Sequence, residues 1–326
     1  MNIKTIGERV LYFCIAVCFL SVSLVWAQEK GYPNKAIEVI VPAGPGGGSD
    51  LCVRIITGEL SSRLKIPFVI TNLPGGAGLI GMTKVLKEKP DGYTLGSSAS
   101  STMTLSVIQT PKPPYDPFKD FLPVCGYGSG PIIFGVKSSS PFKGLQELIE
   151  YAKKNPTKLT CGIPSMGREN HLAFESLKKA TGVNIKIVPF TATGDAVAAL
   201  LGGHIDMMAL SYIAFLPYIK SGETRALVTT LKFPNSDIPS TAEIGYPKVN
   251  ICMQYGFYIS AKTPKEIYEK TVALFEGVVK DPNIAKKLES TGTVGQYKSP
   301  KEFTSDLKEE WDIVSEFAVE MGFKKQ

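Results

Sequence analysis

Two glycine-rich loops, each set between a run of β-branched apolar residues and a helical pattern, constrain this chain more than any other feature. The first is residues 42–50, Pro-Ala-Gly-Pro-Gly-Gly-Gly-Ser-Asp, after the apolar run 37–41. The second is residues 72–81, Asn-Leu-Pro-Gly-Gly-Ala-Gly-Leu-Ile-Gly, after the run 68–71. Apolar residues at helical spacing follow over 50–64 and 80–87. Strand, glycine loop and helix twice in succession predict an α/β fold built on mainly parallel sheets. The alternation continues with helices over 143–154, 172–181 and 196–201, the last two closed by Gly182 and by Gly202-Gly203. Strands are predicted at 185–188, 205–209 and 225–229. Three helices follow at 264–279, 282–290 and 300–321. Thr263 and Ser299 stand as caps before a first-position proline, and Asp281 caps the middle helix.

Glycine lets a backbone approach a ligand and turn its N–H groups inward, and the helix that follows adds its positive end. Ala43, Gly44, Gly46, Gly47, Gly48 and Ser49 of the first loop are therefore candidate anion contacts, as are Gly75, Gly76, Ala77 and Gly78 of the second. Asp50 is a further candidate, with complementing the helix start as its alternative role. A tight strand-to-helix turn without a ligand is the plain alternative for the loops themselves. The first loop lacks the lysine and hydroxyl pair of a nucleotide P-loop. Gly76, Gly78 and Gly81 match GxGxxG, yet a dinucleotide fold places that motif in its first βα turn and wants an acid about twenty positions on, where residues 96–104 are Ser-rich. No cofactor and no metal is expected. One carboxylate held between two neighbouring helix starts is the chemistry the two loops suit.

Lys4 and Arg9 precede an apolar stretch over 10–25, and Val25-Trp26-Ala27 fits a small-residue cleavage site. Residues 1–27 read as an export signal cut after Ala27, which makes the protein periplasmic; a retained anchor is the alternative. Lipid attachment is disfavoured by bulky Phe13 and Val17 before Cys14 and Cys18. The remainder, about 300 residues, is long enough for two domains. No linker separates them, so interleaved lobes are expected: 28–128 in the first, 129–253 in the second, and 254–326 back in the first, with crossings at 124–136 and 251–260. Such lobes enclose a cleft, where small ligands usually bind. The net charge of +6 is spread along the chain, which gives no footprint for nucleic acid. Cys52, Cys125, Cys161 and Cys252 show no zinc spacing and are expected as buried free thiols, with Cys125–Cys252 the one pairing left open.

Across almost the whole mature length the chain resembles the substrate-binding proteins of tripartite tricarboxylate transporters, the Bug-type family. The residues that carry the resemblance are Tyr32-Pro33, the two glycine loops, residues 91–95 (Asp-Gly-Tyr-Thr-Leu), Tyr115-Asp116-Pro117 with residues 120–124, residues 200–206 (Leu-Leu-Gly-Gly-His-Ile-Asp), Arg225-Ala226-Leu227 and residues 239–245. The resemblance implies a type II periplasmic binding-protein fold that closes on its ligand, a small carboxylate held by the two loops, and delivery to the transporter's membrane subunits. The sequence does not determine the oligomeric state, and a monomer is the default expectation. The resemblance also implies a third wall at 97–102, including Ser98 and Ala99; an ordinary Ser-rich loop is the alternative.

In the second lobe, residues 162–171 align with a family loop that usually carries small residues before the histidine; Ser165 falls in it, and Arg168-Glu169 depart from the pattern. Arg168 suits a distal ligand carboxylate through its planar guanidinium, or else pairs with Glu169 or stays in solvent. Thr193 matches a ligand-bonding position, Asp195 a helix cap, and Asp206 a family position with either a ligand or a structural role. An exported hydrolase is the rival from another class. Against it stand only two histidines, His171 and His204, and Ile163 where a GxSxG elbow wants glycine. A binding protein serving a sensor would share the fold and the pocket.

Overall fold

β1 (Ile37–Val41) is a five-residue run of Ile-Glu-Val-Ile-Val buried along nearly its whole length, as expected of a strand covered on both faces. The computed structural model to which it belongs describes residues 31–164 and 166–320, so the export segment 1–27 and Ser165 lie outside the described residues. From Ala36 onward the chain packs as one unit. It continues through α1 (Gly48–Leu64), β2 (Phe68–Asn72), a single 3-10 turn at Gly76–Gly78, α2 (Leu79–Lys87) and β3 (Thr94–Ala99). Two short helical turns follow, α3 (Ser100–Met103) and α4 (Leu105–Ile108), and then β4 (Phe121–Gly130).

After Pro131 the chain enters a second sheet. Its order is β5 (Ile132–Lys137), α5 (Leu145–Lys154), β6 (Thr160–Pro164), α6 (Glu169–Thr181), β7 (Lys186–Phe190), α7 (Thr193–Gly202), β8 (Met207–Ser211), α8 (Tyr212–Lys220) and β9 (Thr224–Thr229). Then β10 (Met253–Ser260) returns to the first sheet, followed by α9 (Lys265–Val279), α10 (Pro282–Glu289), β11 (Val294–Lys298) and α11 (Pro300–Glu320). The sheet orders are β11-β4-β10-β3-β1-β2 and β7-β6-β8-β5-β9.

The sheets are mixed, which corrects the expectation of mainly parallel ones. β1 pairs parallel with β2 and β3, and β6 with β7 and β8. Those are the local βα units, whose crossover helices impose one direction. The antiparallel pairs all involve β4, β5 or β10, the strands beside the points where the chain changes sheet and must run back against its neighbours.

Local chemistry sets the helix ends. Gly182 and Gly203 adopt φ of 71° and 75° and close α6 and α7, a left-handed turn that a side chain would oppose. Asp281 accepts from the Asn283 amide at 2.9 Å and caps α10 with Pro282 in its first turn. Ser299 and Glu302 form a reciprocal capping box ahead of α11. The expected Thr263 cap is not made: α9 begins at Lys265 with Pro264 at the cap position, and the buried Thr263 hydroxyl has no partner among the described residues. Asp195 is likewise no cap, since Ala192 holds that position and Asp195 sits inside the first turn of α7. The cysteines Cys52, Cys125, Cys161 and Cys252 are free; Cys125 faces Phe257 across the β4–β10 ladder rather than Cys252.

Candidate functional site

Val41 and Asn72 are register partners at the ends of parallel β1 and β2, so the two glycine loops leave one sheet edge side by side. Asn72 stitches them together. Its Nδ2 donates to Ala43 O at 3.1 Å and to Asp50 Oδ1 at 3.0 Å, while Arg54 Nη2 donates to its Oδ1 at 3.2 Å. Asp50 Oδ2 accepts from the Gly46 amide and from Arg54 Nε, both at 2.9 Å. Burial pushes the Asp50 carboxyl up, but the bonds from Arg54, Gly46 and Asn72 outweigh it and leave the group below its usual range. Gly81 is where α2 comes closest: a Cβ there would lie 2.8 Å from Pro42 Cβ and 2.9 Å from Leu73 O.

This geometry sorts the expected contacts. Both oxygens of Asp50 are taken by the loops themselves, so its place is under the site. The Gly46 amide is used by Asp50, and the Gly78 amide donates to Gly75 O at 3.0 Å. The amides of Gly47, Gly48, Ser49, Gly76 and Ala77 have no backbone acceptor among the described residues. Gly48 and Ser49 open α1, where a helix has no internal acceptor to offer, and Gly47 supplies no side-chain cap. Gly44, Gly47, Gly75, Gly76 and Ala77 are exposed. The pair of loops is thus an open surface of donors with a positive helix end behind it.

The floor comes from residues that periodicity does not single out. Ala99 lies opposite Tyr255 in the β3–β10 pair, and Tyr255, buried, bonds Ser49. Burial pushes the Tyr255 hydroxyl up, against the Ser49 bond, so it stays protonated and can donate at neutral pH. Ser98 is buried with its hydroxyl on Ala99 O at 3.2 Å, and residues 97–102 are the end of a strand and a helical turn instead of a loop.

On the second sheet, parallel β6 and β7 send their following segments to one edge. Gly167, at φ 73°, donates its amide to His171 Nδ1 at 3.1 Å, and its carbonyl accepts from Gln109 Nε2 at 3.2 Å. His171 is 4% exposed, and burial pushes its pKa down, so the ring is neutral and holds the loop. Arg168 is half-buried at the cap position of α6, and its guanidinium makes no ion pair among the described residues, with Glu169 or any other group. Thr193 is exposed at the start of α7. Asp206 is placed elsewhere: it accepts from Thr160 N at 2.8 Å and Thr160 Oγ1 at 2.7 Å, at the end of β6 remote from residues 166–168. Among the described residues no cluster of three metal-ligating side chains occurs, and no helix is long and apolar enough to cross a membrane.

Comparison with known proteins follows the same outline. Residues 52–312 match the model of the "Tripartite tricarboxylate transporter family receptor". The chain is similar to Protein BugT of Bordetella pertussis, 33% identical over 223 residues, which is 67% of this chain and 68% of that one. Among solved structures it is similar to Rpa4515 of R. palustris with adipate, at 27% identity and TM-score 0.72, covering 88% of this chain and 97% of that one. It is also similar to MatC (Rpa3494) from Rhodopseudomonas palustris with bound malate, at 27% identity and TM-score 0.67, covering 87% and 99%. With so much of the chain inside the match, this protein belongs to the tripartite tricarboxylate transporter receptor family, whose members bind solutes and do not transform them.

Proposed function

We propose that the protein is exported, with the segment ending at Ala27 removed, and that it captures a small organic carboxylate for the membrane subunits of a tripartite transporter. The two sheets are read as the cores of two lobes, and the ligand as lying between the glycine loops and the segment leading into α6. The observation that carries this reading is the set of amides at Gly47, Gly48, Ser49, Gly76 and Ala77 that have no backbone acceptor among the described residues, beside the start of a long helix without a side-chain cap among them. Adipate and malate in the two similar solved structures support a dicarboxylate. Four charge-assisted bonds at about 1.5–3 kcal/mol each give about 6–12 kcal/mol, a range that brackets the roughly 8 kcal/mol of a micromolar complex. Association costs several kcal/mol, which makes contacts from the second lobe necessary. Arg168, without an ion-pair partner among the described residues, is the group proposed for the distal carboxylate.

A thermal-shift panel of carboxylates that includes adipate and malate tests the reading. A bound acid at 100 times its Kd stabilises the native state by about 2.7 kcal/mol and raises the melting temperature by several degrees. Arg168→Ala is expected to reduce the shift for dicarboxylates more than for their monocarboxylate analogues. A panel without any shift, or an Arg168→Ala protein that treats both classes as the wild type does, contradicts the reading.

A further inference from the structure

Behind the second glycine loop a line of contacts leads to a half-buried acid. Gly78, at φ 92°, lies so close to Thr102 that a Cβ there would sit 2.7 Å from Thr102 Oγ1 and Cγ2. Ser106 Oγ donates to Ala77 O at 2.9 Å. Thr104 stands between these two contacts, fully buried, and its hydroxyl donates to Glu310 Oε1 at 2.6 Å. Ser100 bonds the same carboxylate. Glu310 therefore holds both ends of the helical turn that carries Thr102 against Gly78.

Glu310 lies on the wall of a cavity of about 210 Å³ where α11, β11, the start of α6 and the chain entering β10 meet. Glu169 of α6 faces it, with Asp306 and Glu309 from its own helix, Lys298 from β11, and Cys252 and Tyr258 from the β10 side. Lys298 is held by Asp306 and by Gln254 Oε1 at 2.9 Å. Burial pushes the Cys252 thiol up to about 11 and the Tyr258 hydroxyl well above its ordinary value, so both are neutral near pH 7. Burial likewise pushes the Glu310 carboxyl up to about 7, against the bonds from Ser100 and Thr104 and with the charges of Glu169 and Asp306 adding to the rise.

An ionised carboxylate only accepts, so Thr104 must point its hydrogen at Glu310, in a bond strengthened by charge. A protonated Glu310 donates instead. The Thr104 hydrogen then turns to the other acceptor in reach, Ser100 O at 3.1 Å. We propose that Glu310 is a positioning residue: through Thr104 it sets where α3 and α4 press on Ala77 and Gly78, and proton uptake by Glu310 moves that turn. The effect on the turn stands by itself, while the effect on ligand affinity rests on the reading of the turn as part of the anion site.

Amide resonances of 15N-glycine-labelled protein, recorded without ligand between pH 6 and pH 8, test the proposal. In the wild type the Gly76 and Gly78 signals are expected to titrate with a midpoint near the Glu310 value of about 7. Glu310→Gln and Thr104→Val should abolish that titration, and Thr104→Ser should keep it. The same titration in Glu310→Gln, or its survival in Thr104→Val, overturns the proposal. Adding adipate separates the second layer: wild-type affinity should be about fivefold tighter at pH 8 than at pH 6, and equal at the two in Glu310→Gln. Adipate that binds without perturbing Gly76 and Gly78 would refute the anion-site reading and leave the titration result intact.

Discussion

Asp50 is 1% exposed and holds three donors, and those donors belong to three separate pieces of chain: the first loop, its helix and the end of β2. Because its carboxyl lies below the usual range when folded, it adds stability that is complete above the unfolded aspartate value of about 4 and is lost as pH falls through the folded one. Asp50→Asn is therefore expected to cost about 1–3 kcal/mol in urea denaturation at pH 7. The gap from the wild type should close as the pH drops below about 4. A gap that stays constant with pH would contradict this role. The glycine loops were legible in the sequence because their composition alone requires open backbone. The role of Asp50 was not, because it depends on Asn72, which lies beside it only once β1 and β2 pair. Asp206 shows the same limit: its position after Ile205 says nothing about Thr160, the partner that occupies it.

Among the elements, strands with apolar β-branched runs were readable, and strands made of small or polar residues were not. β3 (Thr-Leu-Gly-Ser-Ser-Ala) is buried for most of its length because β1 and β10 flank it, although its own residues carry no strand pattern. β11 (Val-Gly-Gln-Tyr-Lys) is an edge strand with one neighbour, which leaves it little need for apolar residues. Direction was hidden as well, since an apolar run looks the same whether it pairs parallel or antiparallel. Where α11 meets the first sheet, glycine makes the packing possible. A Cβ at Gly256 would lie 2.1 Å from Phe303 Cε1 and 2.8 Å from Cys125 O, so neither the ring nor the neighbouring strand leaves room. Gly256→Ala should destabilise the fold by about 1–3 kcal/mol in urea denaturation, and a change under about 0.5 kcal/mol would mean that α11 shifts freely.

In the whole molecule the helices and turns that flank the two sheets meet around the candidate site. Leu105 and Ile108 pack with Leu172 of α6 and with Val314 and Phe317 of α11, and Lys179 pairs with Glu316 at 2.7 Å. Gly292, at φ 73°, meets Ile213 of α8 so closely that a Cβ would lie 2.4 Å from Ile213 Cβ. The same turn reaches the first glycine loop, with Thr291 O 3.6 Å from a Cβ placed on Gly48. These contacts join the segments after β1, β3 and β8, so the arrangement of the sheets and the shape of the loops depend on each other. The central claim, that main-chain amides at the start of α1 grip the ligand, has a direct test in Gly48→Pro. Proline suits the first helical position, and Gly47 before it already has the extended φ of −74° and ψ of 164° that a following proline requires. The substitution removes one amide hydrogen and no side chain. Calorimetry with the carboxylate that gives the largest thermal shift should show binding weakened about tenfold to a hundredfold, with the melting temperature of the free protein unchanged. Wild-type affinity in Gly48→Pro would contradict the account.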